Sequence, residues 1–272
     1  MIRLAVRVAR ADAEAVLAEL LELAPGGLEE REAGPDAVEY VLYGAPGEVP
    51  DLGEVRAAAG GALVEVTTSE IPDDWSERWK AFHRPVDVSW RFRRLRVRPP
   101  WEPPLDGEGV DLVIDPGRAF GTGAHHTTRL CLELLLELEP AGALADWGCG
   151  TGVLAIAAAR LGWDPVLACD WEVASVEATR ENAAVNGAPG IAVTRADLRR
   201  EAGPWAPTVL ANLVRPLLLE VAAGMTRPPE RMILSGLLRE EAAEVAAAFA
   251  RHGLRERDRR HGGEWAAVLL AG

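Results

Sequence analysis

An acid and three glycines stand at alternate positions in Asp146-Trp147-Gly148-Cys149-Gly150-Thr151-Gly152, between an apolar run and an alanine-rich stretch of helical spacing. A strand that turns into a helix through such a segment leaves backbone N–H groups and a helix N-terminus facing one point, which suits a small polar ligand. The dinucleotide fingerprint needs a further glycine at position 153, where Val153 stands instead. The spacing is therefore G-x-G-x-G, which favours S-adenosylmethionine over NAD. The bland alternative is a turn that only brings a helix close to a strand.

More polar residues follow at the ends of later apolar runs. Asp170 comes 24 residues after Asp146, where a carboxylate can accept from both ribose hydroxyls of an adenosine. Trp171 beside it reads either as a platform for the adenine face or as a core residue between helices. Asp197, in Arg195-Ala196-Asp197-Leu198, is a candidate acceptor for an adenine amino group. Asn212 closes the strand Leu210-Ala211-Asn212 at the point nearest a transferable methyl. Any one of these could be a helix cap, but four strand ends bearing polar groups in succession favour a ligand site.

The elements that must hold these residues alternate from Leu144 onward, which is the signature of an α/β layer fold. Strands are predicted at Leu144–Trp147, Pro165–Asp170, Ile191–Thr194, Thr208–Asn212, Met232–Ser235 and Trp265–Leu270. Helices are predicted at Arg129–Glu139, Leu154–Arg160, Val173–Asn186 and Glu240–His252, the last two stopped by Gly187 and Gly253. Residues 1–70 read differently. Ile2, Leu4, Val6 and Val8 alternate as in a half-buried strand, and a helical stretch through Leu21 ends at Pro25-Gly26-Gly27. Two strands, a short helix started by Asp51 and Glu54, and a strand at Leu63–Thr67 complete a β-α-β-β-α-β order, that of a ferredoxin-like module. Trp75, Trp79 and Phe82 form an aromatic stripe on a short helix that could join two domains or touch a substrate.

Composition narrows the function classes. The net charge of −13 argues against stable nucleic-acid binding, and no apolar run approaches a membrane span. Residues 1–70 hold 14 acids and 5 bases, whereas residues 71–98 hold 8 bases and 4 acids. An acidic head with a basic neck suits a basic protein partner, or is a solvated face. Cys131, Cys149 and Cys169 are too few and too irregularly spaced for a disulfide framework or a zinc site. The alternating N-terminal segment lacks a signal-peptide core, so a cytoplasmic location is expected. The 28 arginines beside a single lysine, Lys80, fit a GC-rich coding bias.

Upstream of the glycine turn lies Phe120-Gly121-Thr122-Gly123-Ala124-His125-His126-Thr127-Thr128. With Asp74-Trp75, Trp79-Lys80, Ala211-Asn212-Leu213, Leu234-Ser235-Gly236-Leu237 and Gly263-Glu264-Trp265, it makes the chain resemble the PrmA family of ribosomal protein L11 methyltransferases. The resemblance covers essentially the whole chain. It implies a class I methyltransferase fold, an α/β Rossmann-like and mostly parallel sheet over residues 105–272. It also implies a small N-terminal ferredoxin-like α+β domain over 1–70 that binds the ribosomal protein, with a linker helix and connecting segment over 71–104. S-adenosylmethionine is the implied cofactor. Thr128, Gly148, Asp170 and Asn212 occupy the family's cofactor positions, and Phe120 to Gly123 form the loop over it. Two departures stand out: His126 replaces a common proline, and Trp171-Glu172 replaces an apolar-acid-proline continuation.

The expected reaction is N-methylation of lysine side chains, and of an N-terminal amine as a further target, in a basic ribosomal protein. Asn212 is the candidate for orienting the amine. His125 is a candidate proton acceptor, or a loop hydrogen-bonder. The His125-His126 pair has no carboxylate or cysteine at ligand spacing, so no metal is expected. Two alternatives remain: the same chemistry on another protein lysine, as in electron-transfer flavoprotein, or a non-catalytic ribosome-binding module that retains S-adenosylmethionine. A glutamine methylase fits less well, because Asn212-Leu213-Val214 lacks the Asn-Pro-Pro-Tyr clamp.

Overall fold

The computed structural model describes residues 2–23, 28–34, 36–44, 49–70, 84–115 and 125–272. The chain divides into two units, Met1–Phe82 and His83–Gly272. The aromatic stripe at Trp75, Trp79 and Phe82 lies outside the described residues, as does the loop Phe120 to Gly123.

The first unit runs β1 (Ile2–Ala9), α1 (Ala13–Leu23), β2 (Glu29–Glu32), β3 (Ala37–Gly44), α2 (Leu52–Ala59) and β4 (Leu63–Glu70). Its sheet is antiparallel throughout, in the order β2-β3-β1-β4, which is the ferredoxin-like arrangement. Period-two alternation sends Leu4, Val6 and Val8 into a core with Val16, Leu20, Val38, Tyr40 and Val55. Arg3 and Arg7 then point to the other face, where they pair with Glu39 and Glu65 across the strands. Asp51 and Glu54 form the expected capping box: Asp51 accepts from the Gly53 and Glu54 amides, and Glu54 accepts from the Asp51 amide.

The second unit opens with β5 (Val86–Trp90), β6 (Arg93–Arg98) and β7 (Val110–Val113), a separate three-stranded sheet. Residues 84–104, expected as connecting segment, thus belong with the second unit. After α3 (His126–Glu137) come β8 (Leu144–Trp147), α4 (Val153–Leu161), β9 (Val166–Asp170), α5 (Val173–Val185) and β10 (Ala192–Arg195). They are followed by β11 (Thr208–Asn212), α6 (Arg215–Gly224), β12 (Arg231–Leu238), α7 (Ala242–Ala250), β13 (Arg255–Gly262) and β14 (Trp265–Ala271). The sheet order is β10-β9-β8-β11-β12-β14-β13; in that order β10 to β12 are parallel, and β14 runs antiparallel to both its neighbours, β12 and β13.

Both faces of this sheet are covered, which is why its strands read as continuous apolar runs. Leu144, Ala168, Leu210 and Ile233 face one core with α3 and α4, while Ala145, Val209, Ala211 and Leu234 face the other with α6 and α7. Besides β5 and β7, β13 and α6 have no counterpart among the sequence expectations. β13 is Arg-Glu-Arg-Asp-Arg-Arg-His-Gly, charged because it is a sheet edge, where charge deters further strand pairing. In α6 only Leu218 and Ala222 are buried, so its apolar periodicity is thin.

Candidate functional site

Strand order reverses between β8 and β11, and in an open α/β sheet the carboxyl ends at such a switch point flank the ligand crevice. A cavity of about 310 Å³ lies there. It is lined by Thr128, Gly148, Gly150, Asp170, Trp171, Asp197 and Asn212, all of them singled out from sequence. Phe120, Gly121, Thr122 and Gly123 lie outside the described residues.

The glycine turn is fastened to β9 by the amides of Gly148 and Cys149, which donate to the Cys169 carbonyl at 2.8 and 3.0 Å. Gly148, Gly150 and Gly152 all have left-handed backbone, with φ of 74°, 54° and 81°. Glycine adopts this region without Cβ strain. A Cβ on Gly148 would also stand 2.3 Å from Leu213 Cδ2. Gly152 does not line the cavity, contrary to expectation. Its missing side chain lets α5 approach instead, since a Cβ there would meet Thr179 Cγ2 at 2.7 Å.

Asp146 is a second correction. It is buried beneath the turn and does not line the cavity. Its Oδ2 accepts from the Ala155 amide at 3.0 Å, while Oδ1 has no hydrogen-bond partner among the described residues. The reason is local: the N-cap of α4 is Gly152, which has no side chain to receive the orphan amides of the first turn. Asp146 does so from the neighbouring strand. Burial pushes its carboxyl up to about 7 against the lowering effect of the Ala155 N–H, with the charge of Asp170 adding to the rise.

Asp170 reaches the cavity wall. Its Oδ2 accepts from the Gly150 amide and its Oδ1 from the Glu172 amide, both at 3.0 Å. The carboxylate is thereby fixed between the glycine turn and the start of α5. Trp171 is 55% exposed, which rules out the core reading. Asp197 is held by Arg199, whose Nε and Nη2 donate to its two oxygens at 2.8 and 3.1 Å. That hydrogen-bonded pair keeps the Asp197 carboxyl below its usual range. Asn212 Nδ2 donates to Thr128 Oγ1 at 3.4 Å, so two predicted positions from different elements meet.

His125 takes a structural place. It is the N-cap of α3, with Nδ1 2.8 Å from Thr127 Oγ1 and accepting from the Thr127 amide at 3.4 Å. Its ring packs edge-on against Trp265 at 4.8 Å. Burial, then the charge of neighbouring His126, lowers its pKa. His126 is the first helical residue, a position that also suits proline.

Sequence reasoning missed Glu172, Ser175, Arg199, Leu213 and Leu217 in the cavity wall. Leu217 carried no signal without α6. Arg199 had one: an arginine two residues after a carboxylate in a loop.

Comparison with known proteins accords with this geometry. Residues 52–271 match the family described as ribosomal protein L11 methyltransferase, PrmA. The ribosomal protein L11 methyltransferase of Myxococcus xanthus is 37% identical over 245 residues, covering 87% of this chain and 83% of that protein. That of Azotobacter vinelandii is 41% identical over 207 residues, covering 73% and 68%. The crystal structure of the ribosomal protein L11 methylase of Lactobacillus delbrueckii subsp. bulgaricus has 29% identity and a TM-score of 0.59, covering 70% of this chain and 98% of that one. The fold is that of class I methyltransferases. This chain belongs to the PrmA family, whose members are methyltransferases that use S-adenosylmethionine.

Proposed function

We propose that the cavity at the ends of β8, β9 and β11 holds S-adenosylmethionine and that the enzyme methylates lysine side-chain amines of ribosomal protein L11. We also propose that the N-terminal ferredoxin-like domain selects this substrate. The carrying observation is the convergence of Thr128, Gly148, Asp170 and Asn212 on one cavity.

The residues fit the cofactor. Gly148 and Gly150 line the cavity at positive φ, and a Cβ on Gly148 would collide with Leu213 in the cavity wall. The Asp170 carboxylate, fixed by two amides, keeps lone pairs for ribose hydroxyls. Trp171 offers an exposed indole and Asp197 an acceptor at the adenine end. When bound, S-adenosylmethionine supplies an electrophilic methyl on a sulfonium.

The protein's task is then to align a neutral amine and exclude water. A lysine of ordinary pKa, about 10.4, costs roughly 4 to 5 kcal/mol to deprotonate at neutral pH. Leu213 and Leu217 give the cavity an apolar side, where the ammonium form is disfavoured. Asn212 spends an amide N–H on Thr128, which leaves its Oδ1 to accept from the amine and turn the lone pair toward the methyl.

The acidic first unit supports the choice of a basic partner: residues 1–70 carry 14 acids and 5 bases. Incubation with methyl-labelled cofactor and purified ribosomal proteins, followed by peptide mapping, tests the reading. Label on lysines of L11 supports it; label on another protein, or on none, overturns it.

A further inference from the structure

A second cavity, of about 290 Å³, lies beside the first and shares with it one piece of wall, Leu198 and Arg199. Its other lining includes Trp147, Trp205, Gly224 and Arg227. Arg227 already covers the Trp205 ring at 3.5 Å from the centroid. The Trp147 indole N–H is committed to the Pro204 carbonyl at 3.0 Å. Arg199 and Arg200 both tie Asp197 of the first cavity to the second, Arg200 through Nε at 3.5 Å from Asp197 Oδ2, but Arg199 also lines the first cavity.

Three contacts define this arginine. Its guanidinium holds both oxygens of Asp197, it lies over the Trp171 ring at 5.3 Å from the centroid, and it borders the second cavity. A planar cation facing an indole across such a gap forms the second side of a slot that suits a flat heteroaromatic ring. The gap is narrower than the roughly 7 Å that two stacked layers need. Arg199 therefore has to move outward when a ring enters, and the second cavity, which Arg199 lines, is open space beside it.

We propose that Arg199 is the clasp of the adenine end of the cofactor site: held on Asp197 it closes the slot over Trp171, displaced outward by an entering ring it covers the adenine from the far side, and withdrawn into the second cavity it lets the cofactor exchange. The proposal rests on the first cavity being the S-adenosylmethionine site. Arg199 is a positioning residue for the cofactor, distant from the methyl-transfer end at Asn212.

Gly224 supplies the discriminating variant. It borders the second cavity and not the first, its φ is ordinary, and a Cβ there would have nothing within 4 Å. Gly224→Phe should fill the receiving space without touching the first cavity. Binding and exchange of S-adenosylhomocysteine are read by calorimetry and stopped-flow Trp fluorescence. Arg199→Ala should weaken binding about tenfold, chiefly through faster dissociation. Arg199→Lys should recover less than half of that loss in free energy, because an ammonium lacks the plane. Gly224→Phe should slow association and dissociation together, at least threefold each, with little change in affinity. In the double variant that slowing should vanish. Equal or tighter binding by Arg199→Ala overturns the clasp, and unaltered exchange in a folded Gly224→Phe overturns the withdrawal. Failure of the wild-type protein to bind S-adenosylhomocysteine at all would instead overturn the cofactor reading beneath it.

Discussion

Gly236 lets the backbone of Leu213 pass so close that a Cβ on the glycine would stand 2.4 Å from the Leu213 carbonyl oxygen. The Leu213 amide in turn donates to the Ser235 carbonyl at 3.1 Å, and Ser235 Oγ donates to the Ala266 carbonyl at 2.9 Å. Two short motifs far apart in the chain, and the residue that follows a third, are thus one construction. It fixes the residue beside Asn212, whose side chain caps the space over Gly148.

Gly236→Ala tests that construction. With φ at 81° and backbone in the way, the new methyl has to push Leu213 outward. The expected result is at least tenfold weaker S-adenosylhomocysteine binding by calorimetry, with a melting temperature several degrees lower, as an unsuitable residue at positive φ destabilises by about 1 to 3 kcal/mol. Unchanged affinity in the variant would separate Leu213 from the site.

Asp170→Asn addresses the ribose end. The carboxylate accepts from two backbone amides already, and an amide nitrogen in place of one oxygen would face a donor. Losing charge-assisted bonds worth roughly 1.5 to 3 kcal/mol each should weaken cofactor binding by tenfold or more. Calorimetry on the folded variant reads the change directly, and near-wild-type affinity would move the ribose elsewhere.

Asp146 makes stability depend on pH in the less common direction. Its folded carboxyl is pushed up to about 7, above the ordinary value of 3.8, so the folded protein holds a proton that the unfolded chain releases. This group's contribution therefore falls as pH rises between those values and is flat below and above them. At about 1.36 kcal/mol per unit the change is on the order of a few kcal/mol. Denaturant melts of wild type and Asp146→Asn at pH 5 and pH 8 should show the variant gaining relative stability at the higher pH. A pH-independent difference would mean that the carboxyl ionises normally inside the fold.

Charge on the first unit should govern substrate choice. Glu19, Glu30 and Glu70 are exposed, and reversing all three to lysine removes part of the acidic surface without touching the core. The expected outcome is a large drop in kcat/KM for L11 with S-adenosylhomocysteine affinity unchanged. The drop should shrink at high salt, because exposed charges are screened within about 8 Å at physiological ionic strength. Equal kcat/KM in both proteins would make the acidic surface merely solvated.

The sequence by itself determined the layer order of both units, because period-two alternation in β1 and continuous apolar runs in β8 and β11 are direct imprints of one-faced and two-faced burial. It also carried the strand-end residues Asp170, Trp171, Asp197 and Asn212, since a polar residue ending a buried strand is visible locally. What it could not carry was direction. Asp146 and Asp170 look alike as acids of apolar strands, yet one supports α4 from beneath and the other reaches the cavity. Gly148 and Gly152 share a motif, yet one meets Leu213 over the site and the other meets Thr179 in the packing of α5. Those differences depend on which side of the sheet each residue faces and which distant element arrives there. The edge strand β13 and helix α6 were hidden for the same reason: their stability comes from docking on β14 and on the sheet rather than from any periodicity of their own.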